Sequence, residues 1–372
     1  MIEIKKQQVK LKDKEYQQFK TPPLLAGYNY PLEDINKSRS QNSLLTIRLE
    51  TSLICNLKCI YCNGLTGKGL SGEISFDKMK EVILEAKSLG AQSVVIIGGG
   101  EPTIFPYFRQ LIKFVNKKGM IPVIFTNGLT LTQDLSYFLY DNNTSVIFKL
   151  DSLDEKIQDL LAGEKGTYKL IMRGMQNLFK VGFNKSKGEA LRCGASFVVT
   201  DINYKDIIDV WQFCRENNIY PNLEELIPRN RGLKYSSKLE VNKQDMHKLK
   251  KKILLLDREK YNYDWLIHTP LPGHGCLQFF YSVYITSRGY IQPCADIDIK
   301  LYNIKNTTIA AAINKPFFKL VRNIEPKLDG KCFNCDYNKL CVGCRGLAFS
   351  LARQKGLNIY HAIVQEDPLC CK

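Results

Sequence analysis

The sequence predicts an α/β protein built on a parallel sheet of six β-then-α units and followed by a loop-rich, cysteine-rich domain. Two observations carry this reading. Apolar strands alternate with amphipathic helices from Ser43 to about residue 262, and the alternation then stops where Pro, Gly and Cys become frequent. Eight of the 13 cysteines fall between Cys276 and Cys371. A chain of 372 residues with 44% hydrophobic residues has room for two domains, or for one large α/β barrel with an appendage.

Taken in order, residues 1–42 are polar and irregular, with Pro22, Pro23 and Pro31 interrupting any long helix. Strands are expected at 44–53, 93–97, 122–126, 146–150, 195–200 and 220–226, where apolar and β-branched residues run together. Helices are expected at 76–89, 107–118, 135–141, 168–181, 205–217 and 243–260. Such a series implies parallel strands joined by right-handed crossovers, with chemistry in the loops at the strands' C-terminal ends. The organisation is therefore 1–42, an irregular segment; 43–262, the barrel; and 263–372, a domain too poor in apolar periodicity to hold together unaided, for which metal ligation would supply stability.

Composition excludes disordered and fibrous classes. No run of about 18 apolar residues occurs, so no spanning helix and no membrane partner is expected. Residues 1–20 are rich in Lys and Gln and lack the apolar stretch of a secretory signal, which points to the cytoplasm. Cytosolic thiols stay reduced, so the cysteines need an explanation other than disulfides. The formal charge of +16 invites a nucleic-acid reading. Thiolate-ligated iron-sulfur clusters would lower it to roughly +11, and that reading then recedes.

Cys55, Cys59 and Cys62 form a CxxxCxxC directly after the first strand. Three thiolates there can hold three irons of a cubane and leave a fourth open to a ligand. A structural zinc site would want a fourth Cys or His nearby, and none lies between Cys62 and Cys193. Three buried, unliganded cysteines are the plain alternative. Gly98-Gly99-Gly100-Glu101-Pro102 ends the second strand, where glycines let the backbone approach a ligand and Glu101 can accept a hydrogen bond from an ammonium group. Thr126-Asn127-Gly128 closes the third strand.

The run from Cys55 to Cys62, with aromatic Tyr61 before its last cysteine, resembles the CxxxCxΦC signature of the radical S-adenosylmethionine (SAM) superfamily. The resemblance implies a [4Fe-4S] cluster on Cys55, Cys59 and Cys62 whose open iron chelates the amino and carboxylate groups of SAM. An electron then cleaves SAM to methionine and a 5′-deoxyadenosyl radical, which abstracts hydrogen from a substrate. Gly99, Gly100 and Glu101 look like the family's GGE motif, and Asn127 belongs to a similar TNG motif. Lys149-Leu150-Asp151-Ser152 stands where many relatives have Ser-Leu-Asp, so Ser152 or Asp151 is a candidate SAM contact, with Lys149 a departure. Glu224, Glu225, Arg229 and Arg231 end the sixth strand and could face substrate or SAM, or be exposed.

The later cysteines are similar to the SPASM extension of that superfamily: Cys276, Gly289 and Cys294, then Cys332, Cys335, Cys341 and Cys344, then Cys370 and Cys371. The spacing from Cys341 to Cys344 is one residue short of the pattern. Carried over, the family's interleaved ligation assigns Cys276, Cys294 and Cys344 to one auxiliary [4Fe-4S] cluster, and Cys332, Cys335 and Cys341 with Cys370 or Cys371 to another. Zinc knuckles are the alternative for CxxC pairs. The fold class is then a partial (β/α)6 TIM barrel with a C-terminal SPASM domain.

Cys193 and Cys214 lie outside both sets and read as small buried hydrophobes; with Cys371 they are also the candidate hydrogen-atom donors. The basic stretch 243–260, with Lys248, Lys250, Lys251 and Lys252, reads as a solvated helix face or as a dock for an acidic partner. Expected partners are an acidic ferredoxin- or flavodoxin-type reductant, a peptide or small-molecule substrate, and a separate leader-peptide recognition protein. The expected function is an oxidoreductase that oxidises, cross-links or epimerises a peptide or protein. The alternatives are a dehydrogenase or epimerase of an aminocyclitol or sugar, and a non-enzymatic iron-sulfur or zinc protein.

Overall fold

The structure, a computed structural model, describes residues 20–64, 66–185, 190–266 and 276–370. Cys371 lies outside the described residues. The first strand, β1 (Leu24–Leu25), pairs in parallel with β6 (Ala190–Leu191) as a small separate sheet. The main sheet contains β2 (Thr46–Leu49), β3 (Ser93–Ile96), β4 (Ile121–Thr126), β5 (Ser145–Lys149), β7 (Cys193–Val199) and β8 (Tyr220–Glu225), all parallel. These are the six strands expected from the sequence.

Both faces of this sheet are buried, which is why its strands read as continuous apolar runs. On β3 to β5 the period of two sends Val94, Ile96, Ile124, Val146 and Phe148 to the core under the helices. Val95, Val123, Ile147 and Phe125 point the other way, into the barrel interior. The helix Phe108–Lys117 buries Phe108, Leu111, Ile112 and Val115, an i, i+3, i+4, i+7 stripe that closes the outer core.

The sheet does not end where the alternation ends. β9 (Ser282–Ile285) adds in parallel to β2, and β10 (Ile291–Gln292) pairs antiparallel with β9, giving the order β10-β9-β2-β3-β4-β5-β7-β8. The sheet is thus a partial barrel. The hairpin between β9 and β10 turns at Gly289, whose φ of +87° is left-handed. The described residues before β2 also pack into the fold. Leu25 and Tyr28 pack against Val95, Val123, Ile147 and Tyr220 and plug the barrel interior, while the helix Leu32–Ser40 sends Ile35 into the C-terminal core beside Phe280 and Phe317. Two or three apolar residues make too short a pattern to show this in sequence. Among the described residues no helix is long and apolar enough to cross a membrane.

Candidate active site

The first cysteine loop leaves β2 and is held in place by neighbours that come unusually close. A Cβ on Gly100 would stand 1.7 Å from the Ile54 carbonyl oxygen, and one on Gly232 would stand 2.7 Å from the Tyr61 carbonyl oxygen. Gly232 N–H donates to the Cys62 carbonyl, and Arg231 Nη1 to that of Cys59 at 3.1 Å. What forbids a side chain at Gly100 is therefore the cysteine loop itself. The backbone is pressed against protein here, a different reason for glycine from the close approach to a ligand expected above.

Glu101 is buried, and burial raises its carboxyl pKa against the hydrogen bonds that lower it. Its Oε1 accepts from the Thr103 N–H and from the Thr103 and Thr126 hydroxyls, and its Oε2 accepts from Asn127 N–H at 2.7 Å. Oε2 keeps one lone pair for a further donor. Asn127 Nδ2 in turn donates to Asn56 Oδ1 in the cysteine loop at 2.7 Å. The two motifs at the ends of β3 and β4 are thus one hydrogen-bonded unit.

Tyr61 donates its hydroxyl to Asp151 Oδ2 at 2.6 Å, and Lys149 stands 5.0 Å above the Tyr61 ring and 3.3 Å from Asp151 Oδ1. Burial works against the Lys149 ammonium, but Asp151, Glu224 and Cys59 outweigh it and hold its pKa above the usual lysine value. Lys149, the departure from the sequence pattern, is a cavity wall residue.

One cavity of about 310 Å³ gathers these parts. It is lined by Cys55, Cys59 and Cys62, by Tyr61, Gly99, Gly100, Glu101 and Asn127, and also by Cys276, Cys294 and Cys344. Burial pushes the Cys59 and Cys294 thiols up to about 12 each, and raises those of Cys55, Cys276 and Cys344. As thiolates these groups need a cation beside them, and thiolate sets select soft metals. Among the described residues no three His, Cys, Asp or Glu side chains converge on a site for one ion. Sets of three cysteines around one cavity are the kind of donors that iron-sulfur clusters take.

Cys332, Cys341 and Cys370 gather elsewhere. Burial, then Asp367, Cys370 and Cys332, push the Cys341 thiol up to about 12. The Cys335 N–H donates to the Cys332 carbonyl. The short spacing from Cys341 to Cys344 is spanned by Gly343 at φ +68°, so the chain turns from this set toward the cavity within three residues. Cys344 then starts the helix Arg345–Gln354, its sulfur accepting the Leu347 N–H at 3.4 Å.

Not every candidate reaches the cavity. Ser152 is fully buried, donating to Asp206 Oδ2 at 2.6 Å and accepting the Asp154 N–H; it shapes the loop after β5 and does not line the cavity. Cys193 and Cys214 sit in the core under the helices, with Cys214 pushed up to about 12 by burial, and neither lines the cavity. Lys250 departs from the solvated face expected of 243–260. It is buried and paired with Glu225, a cavity residue, while Lys248, Lys251 and Lys252 are exposed. Glu224 lines the cavity with Oε1 held by Asn222 Nδ2 at 2.8 Å. Arg48, Gln278 and Asp296 also line it and carry no motif that would have shown them.

The family model of the radical SAM superfamily matches residues 49–214, the span that runs from the last residue of β2 through β7 and holds the first cysteine set. The chain belongs to the radical SAM superfamily. The SPASM model, an iron-sulfur cluster-binding domain, matches residues 276–336 of this radical SAM enzyme. Its cofactors are SAM, a [4Fe-4S] cluster that binds it, and auxiliary iron-sulfur clusters. The AdoMet-dependent heme synthase of Methanosarcina barkeri is 24% identical over 355 residues, which is 88% of this chain and 97% of that protein. Mycofactocin maturase MftC of Mycobacterium tuberculosis is 26% identical over 230 residues, 62% of this chain and 53% of that protein. The fold is shared with SAM-bound SuiB of Streptococcus suis, at a TM-score of 0.68 and 20% identity over 91% of this chain and 80% of that one.

Proposed function

We propose that this radical SAM enzyme acts on a peptide or protein, which it oxidises, cross-links or epimerises. The observation that carries the reading is a second groove that opens off the main cavity, with Asn63, Gly98, Gly99 and Ala295 lining both. The groove passes Arg229, Arg288 and Lys300 beside the β9–β10 hairpin. Arg229 is paired with Asp298 at 3.2 Å, whereas Arg288 and Lys300 are exposed. A compact small molecule needs only the cavity; an extended, acidic chain uses the groove as well. The name of MftC, a maturase, agrees with this class.

In this reading 43–262 is the catalytic barrel, 263–372 carries the auxiliary clusters, and 1–42 precedes them. Cys55, Cys59 and Cys62 hold the cluster that, when bound, supplies the electron for SAM cleavage. Glu101 Oε2 offers its free lone pair to the ammonium of SAM, and Tyr61 and Asn127 fix the loop around it. Cys276, Cys294 and Cys344 hold one auxiliary cluster, and Cys332, Cys335, Cys341 and Cys370 the other. An acidic ferredoxin- or flavodoxin-type protein is the reductant, and a separate protein recognises a leader peptide.

A second reading rests on length, because the heme synthase of M. barkeri is matched over 97% of itself. Its name points to a tetrapyrrole, a small-molecule substrate of a different kind from an aminocyclitol or sugar. The test is anaerobic turnover with SAM and dithionite, followed by mass spectrometry. Short peptides encoded beside the gene should change mass as 5′-deoxyadenosine forms, and Cys59→Ala should release none. Turnover coupled only to an iron porphyrin or a sugar would overturn the peptide reading.

A further inference from the structure

Arg345 follows Cys344 directly and is buried. Its Nη1 donates to the carbonyls of Ile363 and Gln365, which fixes the guanidinium in place. Its Nε and Nη2, equally buried, have no hydrogen-bond partner among the described residues. The nearby Asp367 carboxylate is already engaged, accepting the N–H groups of Cys344 and Leu369. A buried guanidinium with unmet donors is uncommon, because each such donor gives up its water for nothing.

Thiol sets lie on both sides of this side chain. Arg345 lines the cavity that holds Cys276, Cys294 and Cys344. On its other side Nη2 stands 3.0 Å from the position a Gly343 Cβ would take, next to Asp367, in the turn that leads back to Cys341. Its charge is felt at Cys332, Cys341 and Cys344. The side chain therefore stands between the two auxiliary thiol sets. Asp367 is the first opposite charge beside it, and thiolates on iron would add matching charge on both sides.

We propose that Arg345 is a positioning residue shared by the two auxiliary clusters, its free Nε and Nη2 donors directed at their sulfurs and its charge setting both reduction potentials. The assignment rests on the ligand sets given under the proposed function. Reduction adds one electron to a cluster, with no bond made or broken, and makes it more negative by one charge. A fixed neighbouring cation and N–H···S bonds stabilise that reduced form and raise the potential.

The test is a redox titration followed by electron paramagnetic resonance on reconstituted wild type, Arg345→Gln and Arg345→Lys, each with its iron content measured. In Arg345→Gln the reduced-to-oxidised ratio of both auxiliary clusters at fixed potential should fall at least tenfold, which is 59 mV for a one-electron couple. Arg345→Lys keeps the charge but loses the fork, so one cluster should shift in the same direction while the other stays near wild type. Wild-type potentials for both clusters in either variant, at full iron content, would overturn the proposal. Should Arg345→Gln fail to load its clusters, Arg345→Lys decides alone. A wild type with a single auxiliary cluster would show instead that the ligand sets themselves are wrong, and the proposal falls with them.

Discussion

The Tyr61 hydroxyl and the Asp151 carboxylate meet at 2.6 Å, both buried, and tie the first cysteine loop to the end of β5. Asp151 also accepts the Val198 N–H at 2.9 Å, so one carboxylate joins the cysteine loop, β5 and β7. Tyr61→Phe removes a buried donor and should lower stability by about 1–3 kcal/mol. The melting temperature of the anaerobic holoenzyme should drop, and the yield of 5′-deoxyadenosine with it. An unchanged melt would show that the bond holds nothing together.

Lys250 forms a buried ion pair with Glu225, which lines the cavity. Burial pushes the Glu225 carboxyl up to about 7 against the pull of Lys250. Lys250→Met should be destabilising by about 3–5 kcal/mol, because it strands a buried carboxylate. The double variant Glu225→Gln/Lys250→Met should recover most of the loss in urea melts. If the single and double variants melt alike, the pair is not coupled.

The two auxiliary thiol sets can be told apart one cysteine at a time. Cys344→Ala should remove the same auxiliary paramagnetic signal as Cys276→Ala or Cys294→Ala, and Cys332→Ala should remove the other. Iron should fall from about 12 toward about 8 per chain in each case. Loss of the Cys332 signal in Cys344→Ala would place Cys344 in the wrong set.

Asp159 caps the helix Thr167–Val181, accepting the Gly166 N–H at 2.6 Å, the Tyr168 N–H at 2.8 Å and the Thr167 hydroxyl at 2.7 Å. Slight burial would raise its pKa, but these donors outweigh it and hold the carboxyl below its usual 3.8. A depressed folded value contributes stability above the unfolded pKa, and that stability is lost as pH falls through the folded one. Asp159→Ala should cost about 1 kcal/mol near neutrality. The gap to wild type should close as urea melts are taken down to about pH 3; a gap constant with pH would mean that the charge plays no part.

How much of this was readable in advance follows from the range of each interaction. The six strands and their helices show in sequence because apolar periodicity is local, and the Cys55–Cys59–Cys62 motif shows because its three thiols come from one loop. β9 was missed because a four-residue strand after the alternation ends has no partner helix to announce it. Lys250 looks solvated in sequence because its helix is basic on neighbouring positions, and only the tertiary pairing with Glu225 at the end of β8 shows that one of the four lysines is turned inward. Ser152 looked like a SAM contact because of its place after the fourth strand, and Asp206 captures its hydroxyl instead.

By itself the sequence determined the chemistry of this protein: thiols in set spacings, a GGE turn and a parallel α/β frame, all properties of short stretches of chain. The tertiary structure decided which cysteines share a space, bringing Cys276, Cys294 and Cys344 into the cavity with the first set. It also decided that Arg345 lies beside both auxiliary sets, with two donors unmet among the described residues. The physical reason is that a thiol's ligand set, and a buried charge's partner, depend on atoms tens to hundreds of residues away, and only the packed fold specifies those.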